Sequence, residues 1–248
     1  MNLLLTKPSK TGKAIARELG IPYSIRGSYH SVDTLIRWGT TVVVDQRANK
    51  VLNSIEAIRK SSDKMGFIQL LRDNNIPTVK IGDSVPCIGR PRFHQRGRGF
   101  FYCEDNYDIR RARRKGAEYF TEFYPKTKEY RIHIAGGKVL LFSEKLLTDQ
   151  SRRLQRHVWN AKNGYTFKHL YRHMWLEDDD LMDMQLSCKD AMEKLGLDFG
   201  AFDVLYSPYL DNRYAIIEVN TAPSLSPLAL EKYLEYFKNE MKDTAEYI

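Results

Sequence analysis

The spacing of apolar and polar positions changes period several times along the chain, and each change marks an element. Asn2–Thr6 is an apolar run of strand length, and Ser9–Leu19 carries helical spacing, with Gly20 placed to end it and Pro22 just beyond. Thr40–Asp45 (TTVVVD) is rich in β-branched residues and reads as the next strand, and Ser54–Ser61 as a short helix. Ser62 or Asp63 caps a helix over Met65–Asn74, which Ile76-Pro77-Thr78 terminates before an extended Val79–Ile81. Val85–Arg90 reads as a strand, Tyr107–Gly116 as a helix, and Ala117–Tyr124 as a strand stopped by Pro125. Lys128–Ile134 alternates with period two, turns at Gly136-Gly137 and returns through Lys138–Phe142 as a hairpin. Asp178–Leu195 is amphipathic, with Leu181, Met184, Leu186, Cys188, Ala191, Met192 and Leu195 assigned to the core side and Gly196 ending it. A last helix, Ser226–Tyr247, would dock through Leu228, Leu230, Tyr233, Leu234 and Phe237. The class is α/β, with a small β/α unit over the first sixty residues or so.

Two apolar runs near the C-terminal end carry the chemistry. Phe199–Tyr206 holds one charge, Asp203, flanked by apolar residues. Pro208–Arg213 is turn chemistry, and the run led by Tyr214 ends in Glu218-Val219-Asn220-Thr221-Ala222-Pro223-Ser224. The two runs read as an antiparallel hairpin. Strand period puts Glu218 and Asn220 on one face, and Asp203 on the neighbouring strand can share it. Such oxygens suit Mg²⁺ or Mn²⁺. The alternative is that a buried carboxylate here pairs with Arg or Lys; one arginine satisfies Asp203 readily, but not three acceptors at once.

The Asp strand, turn and E-V-N-T-A-P strand resemble the metal-binding end of the ATP-grasp superfamily, in the form seen in D-alanine–D-alanine ligases and ribosomal-protein glutamate ligases. Upstream motifs follow in the same order over about residues 62–230. The resemblance implies an ATP-grasp fold of two α+β lobes behind a small pre-ATP-grasp domain: residues 1–61, then 62–248, with a small lobe at about 79–124 and a large lobe at about 125–248. It implies ATP bound between the lobes and two Mg²⁺ (or Mn²⁺) ions on Asp203, Glu218 and Asn220. Lys64, Arg90, Gly97 and Gly99 would meet the phosphates, although the family carries a lysine where Arg90 stands. Glu122, Phe123 and Tyr124 would form the hinge against adenine, and Glu129 would serve the ribose. Arg131 and Lys145 would act on the transferring phosphate, and Arg156, Asn160, Thr221 and Ser224 would grip the substrate. The implied reaction is ATP-dependent joining of a carboxylate to an amine through an acyl phosphate, with release of ADP and phosphate. An ATP-grasp kinase, or a non-catalytic nucleic-acid-binding protein, are the competing readings.

Composition narrows this only a little. The 248 residues carry 42% apolar and 28% charged residues, the profile of an ordinary globular protein. No apolar run approaches the ~18 residues of a membrane span. The N-terminus lacks signal-peptide character, and the three widely spaced cysteines suggest neither a disulfide framework nor a C-x-x-C site, so a cytoplasmic setting is expected. The net charge of +8 favours an anionic partner. It gathers in Arg90–Arg98, in Arg110–Lys115 (RRARRK), and in Arg152, Arg153 and Arg156. A triphosphate would use some of these, whereas an acidic or nucleic-acid partner would use all. As a helical charge run, RRARRK reads first as a solvated face, with an electrostatic dock for an acidic or nucleic-acid partner as the alternative. The pattern KPSKTGKA departs from a phosphate loop, lacking its first glycine and its hydroxyl, and reads as a basic helix start.

Overall fold

A computed structural model describes residues 2–26, 31–43, 47–93, 99–152 and 156–243. The chain opens on β1 (Leu3–Thr6) and α1 (Lys10–Leu19), followed by β2 (Tyr23–Ser24), β3 (Ser31–Trp38) and β4 (Arg47–Leu52). These strands form a parallel sheet in the order β2-β1-β3-β4. Ser9 caps α1 by accepting from Gly12 N, and Gly20 closes it in the left-handed conformation. The expected strand at Thr40–Asp45 is not one over its described part, residues 40–43. Gly39 turns the chain at φ 66°, Val43 stands 67% exposed, and the Val42 carbonyl accepts from Arg37 instead of a ladder partner. The pairing belongs to β3 and β4. In β3, Asp33 and Arg37 interrupt the apolar run that would have announced it.

Helices α2 (Ile55–Ser62) and α3 (Lys64–Asp73) follow, each N-capped, by Ser54 and Asp63. A three-stranded antiparallel sheet then forms from β5 (Cys87–Arg90), β6 (Phe101–Cys103) and β7 (Tyr119–Glu122), in the order β6-β5-β7. It is backed by α4 (Asn106–Arg114), whose Ile109 and Ala112 pack with Cys87, Cys103 and Phe120.

The third sheet has five antiparallel strands in the order β10-β9-β8-β11-β12. They are β8 (Lys128–Ala135), β9 (Lys138–Leu147), β10 (Tyr165–His169), β11 (Phe199–Tyr206) and β12 (Tyr214–Asn220). Between them lie α5 (Arg172–Leu176) and α6 (Asp179–Leu195), and α7 (Pro227–Asp243) ends the described chain. One face of this sheet, with Tyr130, Ile132, Ile134, Phe202, Val204 and Ile216, joins α6 and α3 in the largest core. At the end of the sheet beyond His133, Ala135 and Phe199 pack with Trp38 of β3 and with Tyr233 and Phe237 of α7. Asn53 fastens the N-terminal unit there. Its carboxamide accepts from Asp198 N at 2.8 Å and donates to the Phe199 carbonyl at 3.0 Å. Two apolar assignments to core faces do not hold: Leu186 of α6 is 56% exposed and Leu228 of α7 is 41% exposed.

Candidate active site

The free face of the five-stranded sheet is polar where the back is apolar. At one level, His169, Ser143, Arg131, Asp203 and Glu218 stand opposite one another, one from each strand. The alternation expected in Lys128–Ile134 produces this face, since Glu129, Arg131 and His133 project opposite to Tyr130 and Ile132. A bulge completes it. Between the Asp203–Glu218 and Val204–Ile216 pairs, β12 carries the extra residue Ile217. The chain therefore turns Ile216 into the core and Ile217 toward the cleft, while Glu218 stays beside Asp203.

The buried charges are paired across strands. Arg131 grips Asp203 with two parallel bonds, Nε to Oδ1 at 2.6 Å and Nη2 to Oδ2 at 2.7 Å. Lys145 and Lys126 both bond the Glu129 carboxylate, one to each oxygen. Glu129 and Arg131, two residues apart on β8, thus each pair across to a neighbouring strand, Glu129 with Lys145 of β9 and Arg131 with Asp203 of β11. Burial acts to raise the Glu129 carboxyl, and Lys145 and Lys126 outweigh it, bringing it down to about 2. Burial keeps the Asp203 carboxyl above its ordinary value in spite of Arg131, and Arg131 itself is held charged, Asp203 outweighing burial. Burial, with Lys145 and Arg90 adding to it, lowers Lys126 in spite of Glu129, whereas Glu129 and Asp203 lift Lys145 against its burial. His169 bridges Ser143 Oγ and Ser226 Oγ, 2.9 Å from each.

Glu218 and Asn220 share the face as expected, and the Asn220 amide donates to Glu218 Oε1 at 3.0 Å. Lys64, at the first position of α3, reaches within 3.6 Å of Glu218 Oε2. Burial would raise the Glu218 carboxyl; Lys64 and the Asn220 bond hold it well below the usual range. The donor set suits a hard cation in part. Among the described residues Glu218 Oε2 faces only Lys64, at 3.6 Å, and the Asn220 side-chain oxygen accepts no hydrogen bond, while both Asp203 oxygens are engaged by Arg131. Asp203 is thus paired with an arginine, as in the alternative reading, and each of its oxygens keeps a further lone-pair site. Among the described residues no three His, Cys, Asp or Glu side chains gather as a metal site, so the set relies on the amide.

A cleft of about 490 Å³ opens between the three-stranded sheet and the end of the five-stranded one, where Lys126, Leu205 and Ile217 line it. Arg90 lines it, and its buried Nε has no hydrogen-bond partner among the described residues. Glu122, Phe123 and Tyr124 line the far end. The Phe123 amide donates to the Pro86 carbonyl at 3.0 Å, while the Tyr124 amide meets no acceptor among the described residues. Glu122 is occupied structurally, its carboxylate accepting from Lys80 N at 2.8 Å. Gly97 lies outside the described residues. Gly99, at φ 68°, packs on Pro91 and does not line the cleft.

Residues 148–152 and 156–164 include two of the residues expected to grip the substrate, Arg156 and Asn160. Their neck is closed by Gly164, where a Cβ would fall 1.9 Å from the Asp149 carbonyl oxygen. Arg156 lines the nucleotide-sized cleft. Asn160 does not; its side chain caps the following 3₁₀ turn by accepting from Asn163 N at 3.1 Å. Thr221 is buried, Ser224 is exposed, and the turn between them rests through Ala222 on Gly39. Sequence reasoning missed Lys126, which sits over the Trp159 ring at 4.4 Å, and the ring cluster of Tyr102, Phe123 and His157 at the cleft mouth. It also missed Phe167. The only local signal for Lys126 was its place between the hinge and Glu129.

No protein-family model matches the chain, and no curated protein matches it by sequence. Solved structures do. The ATP-grasp ligase PsnB, complexed with a minimal precursor, superposes with a TM-score of 0.66 at 12% identity, over 97% of this chain and 98% of that one. D-alanine–D-alanine ligase from Bacillus anthracis, complexed with ATP, gives 0.65 at 13% identity, over 100% and 99%. The macrocyclase MdnC from Microcystis aeruginosa MRC, bound with the precursor peptide MdnA, gives 0.60 at 12%, over 97% and 100%. The chain has the ATP-grasp fold. Among the described residues no helix is long and apolar enough to cross a membrane.

Proposed function

We propose that the protein is an ATP-dependent carboxylate–amine ligase that forms an amide or peptide bond through an acyl phosphate and releases ADP and phosphate. The observation that carries this reading is the orphaned, buried Nε of Arg90 in a nucleotide-sized cleft, beside the Lys64–Glu218 pair. A buried donor without an acceptor costs about 1–3 kcal/mol, and an anion supplied by a ligand offsets it. The fold supports the same class: PsnB and D-alanine–D-alanine ligase carry it, and the latter is seen with ATP.

In this reading residues 1–61 form the pre-ATP-grasp domain and 62–248 the ATP-grasp domain. The Tyr124 amide and neighbouring hinge carbonyls face the adenine edge, with Phe123 as its wall, and Glu129 faces the ribose. Lys64 and Arg90 hold the phosphates, and the fork of Arg90 can meet two oxygens where a lysine would meet one. Asp203, Glu218 and Asn220 would hold Mg²⁺ or Mn²⁺, which offsets the charge of a carboxylate brought against a triphosphate. Arg131 and Lys145 stabilise charge as it moves onto the bridging oxygen. Arg156, Thr221 and Ser224 meet the substrate. The chain supplies placement and electrostatics rather than a nucleophile. PsnB and MdnC are seen with precursor peptides, so a peptide belongs among the acids tested.

A screen of amino acids and peptides with ATP and Mg²⁺, read by ADP release and product mass, tests the reading. It predicts a product lighter by one water than its acid and amine together. A product heavier by one phosphoryl group, formed from an alcohol, would assign the site to a kinase instead. Failure to bind any adenine nucleotide would remove both.

A further inference from the structure

One ring on the polar face belongs to neither the core nor the cleft. Phe167, in the middle of the edge strand β10, stands opposite Lys145 in register. It is 38% exposed and stacks on no other ring among the described residues. Its face is nonetheless occupied. The Arg131 guanidinium lies 4.5 Å from the ring centroid and the Lys145 ammonium 5.3 Å from it. A phenylalanine left this exposed forgoes part of its burial gain, and the two cations add an attraction to the ring face that an aliphatic side chain would lack.

The physical distinction lies in what holds each cation. Asp203 holds Arg131, and Glu129 holds Lys145, each through a full negative charge. A π face attracts a cation through its quadrupole and carries no net charge. It can fix where a guanidinium and an ammonium stand without cancelling what they offer an anion. A carboxylate at residue 167 would bind both more strongly and neutralise them. Arg131 keeps Nη1 outside its pair with Asp203, with no acceptor among the described residues.

We infer that Phe167 is a positioning residue, holding Arg131 and Lys145 as a preset cationic pair for the terminal phosphoryl group of the nucleotide. The inference rests on the ligase reading, and the test separates the two. Binding of ADP and of a non-hydrolysable ATP analogue with an imido bridge is measured with Mg²⁺, by calorimetry, for the full chain and for Phe167→Leu and Phe167→Tyr. Leucine is close in size but has no π face; tyrosine keeps the face. Phe167→Leu is expected to weaken the triphosphate analogue about fivefold to tenfold while leaving ADP unchanged, and Phe167→Tyr to restore the analogue. Equal weakening of both ligands by Phe167→Leu would mark a merely structural ring and overturn the inference, as would no weakening of either. A wild-type chain that binds neither nucleotide would overturn the ligase reading itself.

Discussion

Strands β8 and β11 are buried to nearly the same degree on both faces, yet the faces oppose each other energetically. On the back, Tyr130, Ile132, Phe202 and Val204 are 0–3% exposed. On the front, Glu129 and Asp203 are each 4% exposed. Removing the back-face hydrocarbon from water contributes about 25 cal/mol per Å². Removing the front-face ions costs several kcal/mol each, and pairing returns only part of it. Buried pairs of this kind are often matched or bettered in stability by apolar residues of the same volume. The back face therefore explains why the sheet exists, and the front face what it is for.

That contrast is broken most directly at Asp203. Asp203→Ala leaves the Arg131 guanidinium buried and unpaired, and should cost about 3–5 kcal/mol in denaturant unfolding along with at least ~10³-fold in ADP release. Replacing both partners, Asp203→Leu with Arg131→Met, should recover most or all of the stability and none of the turnover. Were the double variant as unstable as the single one, the front face would be structural after all. On the other side of the same strand, Ile132→Ala should cost about 2–5 kcal/mol through the cavity it leaves. The molecules that remain folded should bind nucleotide as the parent does. A nucleotide affinity that fell in step with stability would show that the two faces cannot be separated.

The same contrast governs how much of the molecule could be read from its residues. Alternation in Lys128–Ile134 and in the Asp203 and Glu218 strands is a local property, and it put the right side chains on one face. Ion-pair partners are not local. Arg131 meets Asp203 across 72 residues and Lys145 meets Glu129 across 16, and nothing in either segment says which cation finds which carboxylate. The bulge at Ile217 is silent in the sequence because both isoleucines of the Ile216-Ile217 pair fit either side. Strand β3 was hidden by Asp33 and Arg37, and the role of Phe167 by the ordinary look of an aromatic in a strand. Tyr102 and His157 meet only because two sheets close on one cleft.

Acid sharpens the comparison at the covered end of the front face. His133 Nδ1 lies 3.3 Å from the Tyr233 hydroxyl, and that hydroxyl donates to the Gly200 carbonyl, so Nδ1 is a nitrogen that carries a proton. Burial, with Arg131 and then His169 adding to it, holds His133 down to about 3. The unfolded histidine binds its proton near pH 6.5, so the unfolded state takes up more protons as pH falls. Stability from this group is complete above about pH 6.5 and declines on acidification, by about 2 kcal/mol between pH 6.5 and 5. His169, lowered in the same direction by burial, adds to the decline. Unfolding curves across that range should be steeper in pH for the parent than for His133→Gln. Equal slopes would mean that His133 is not the group responsible.

The smallest effect is expected at Leu186. The buried residues of α6 are Leu181, Met184, Gln185, Cys188, Ala191, Met192 and Leu195, which follow helical spacing without it. Gln185 takes the inward place that a count of apolar residues would give to Leu186. Its amide donates to the Trp175 carbonyl at 2.9 Å and the Leu181 carbonyl at 3.1 Å, so a polar side chain there is satisfied. Leu186→Gln should shift stability by no more than about 0.5 kcal/mol, whereas Gln185→Leu should cost more, by leaving the Trp175 carbonyl without its donor. The pair of variants asks whether hydrogen bonding or hydrophobicity orients this helix against the back of the sheet. A loss at Leu186 larger than at Gln185 would turn the helix by one residue and move the boundary between the two faces with it.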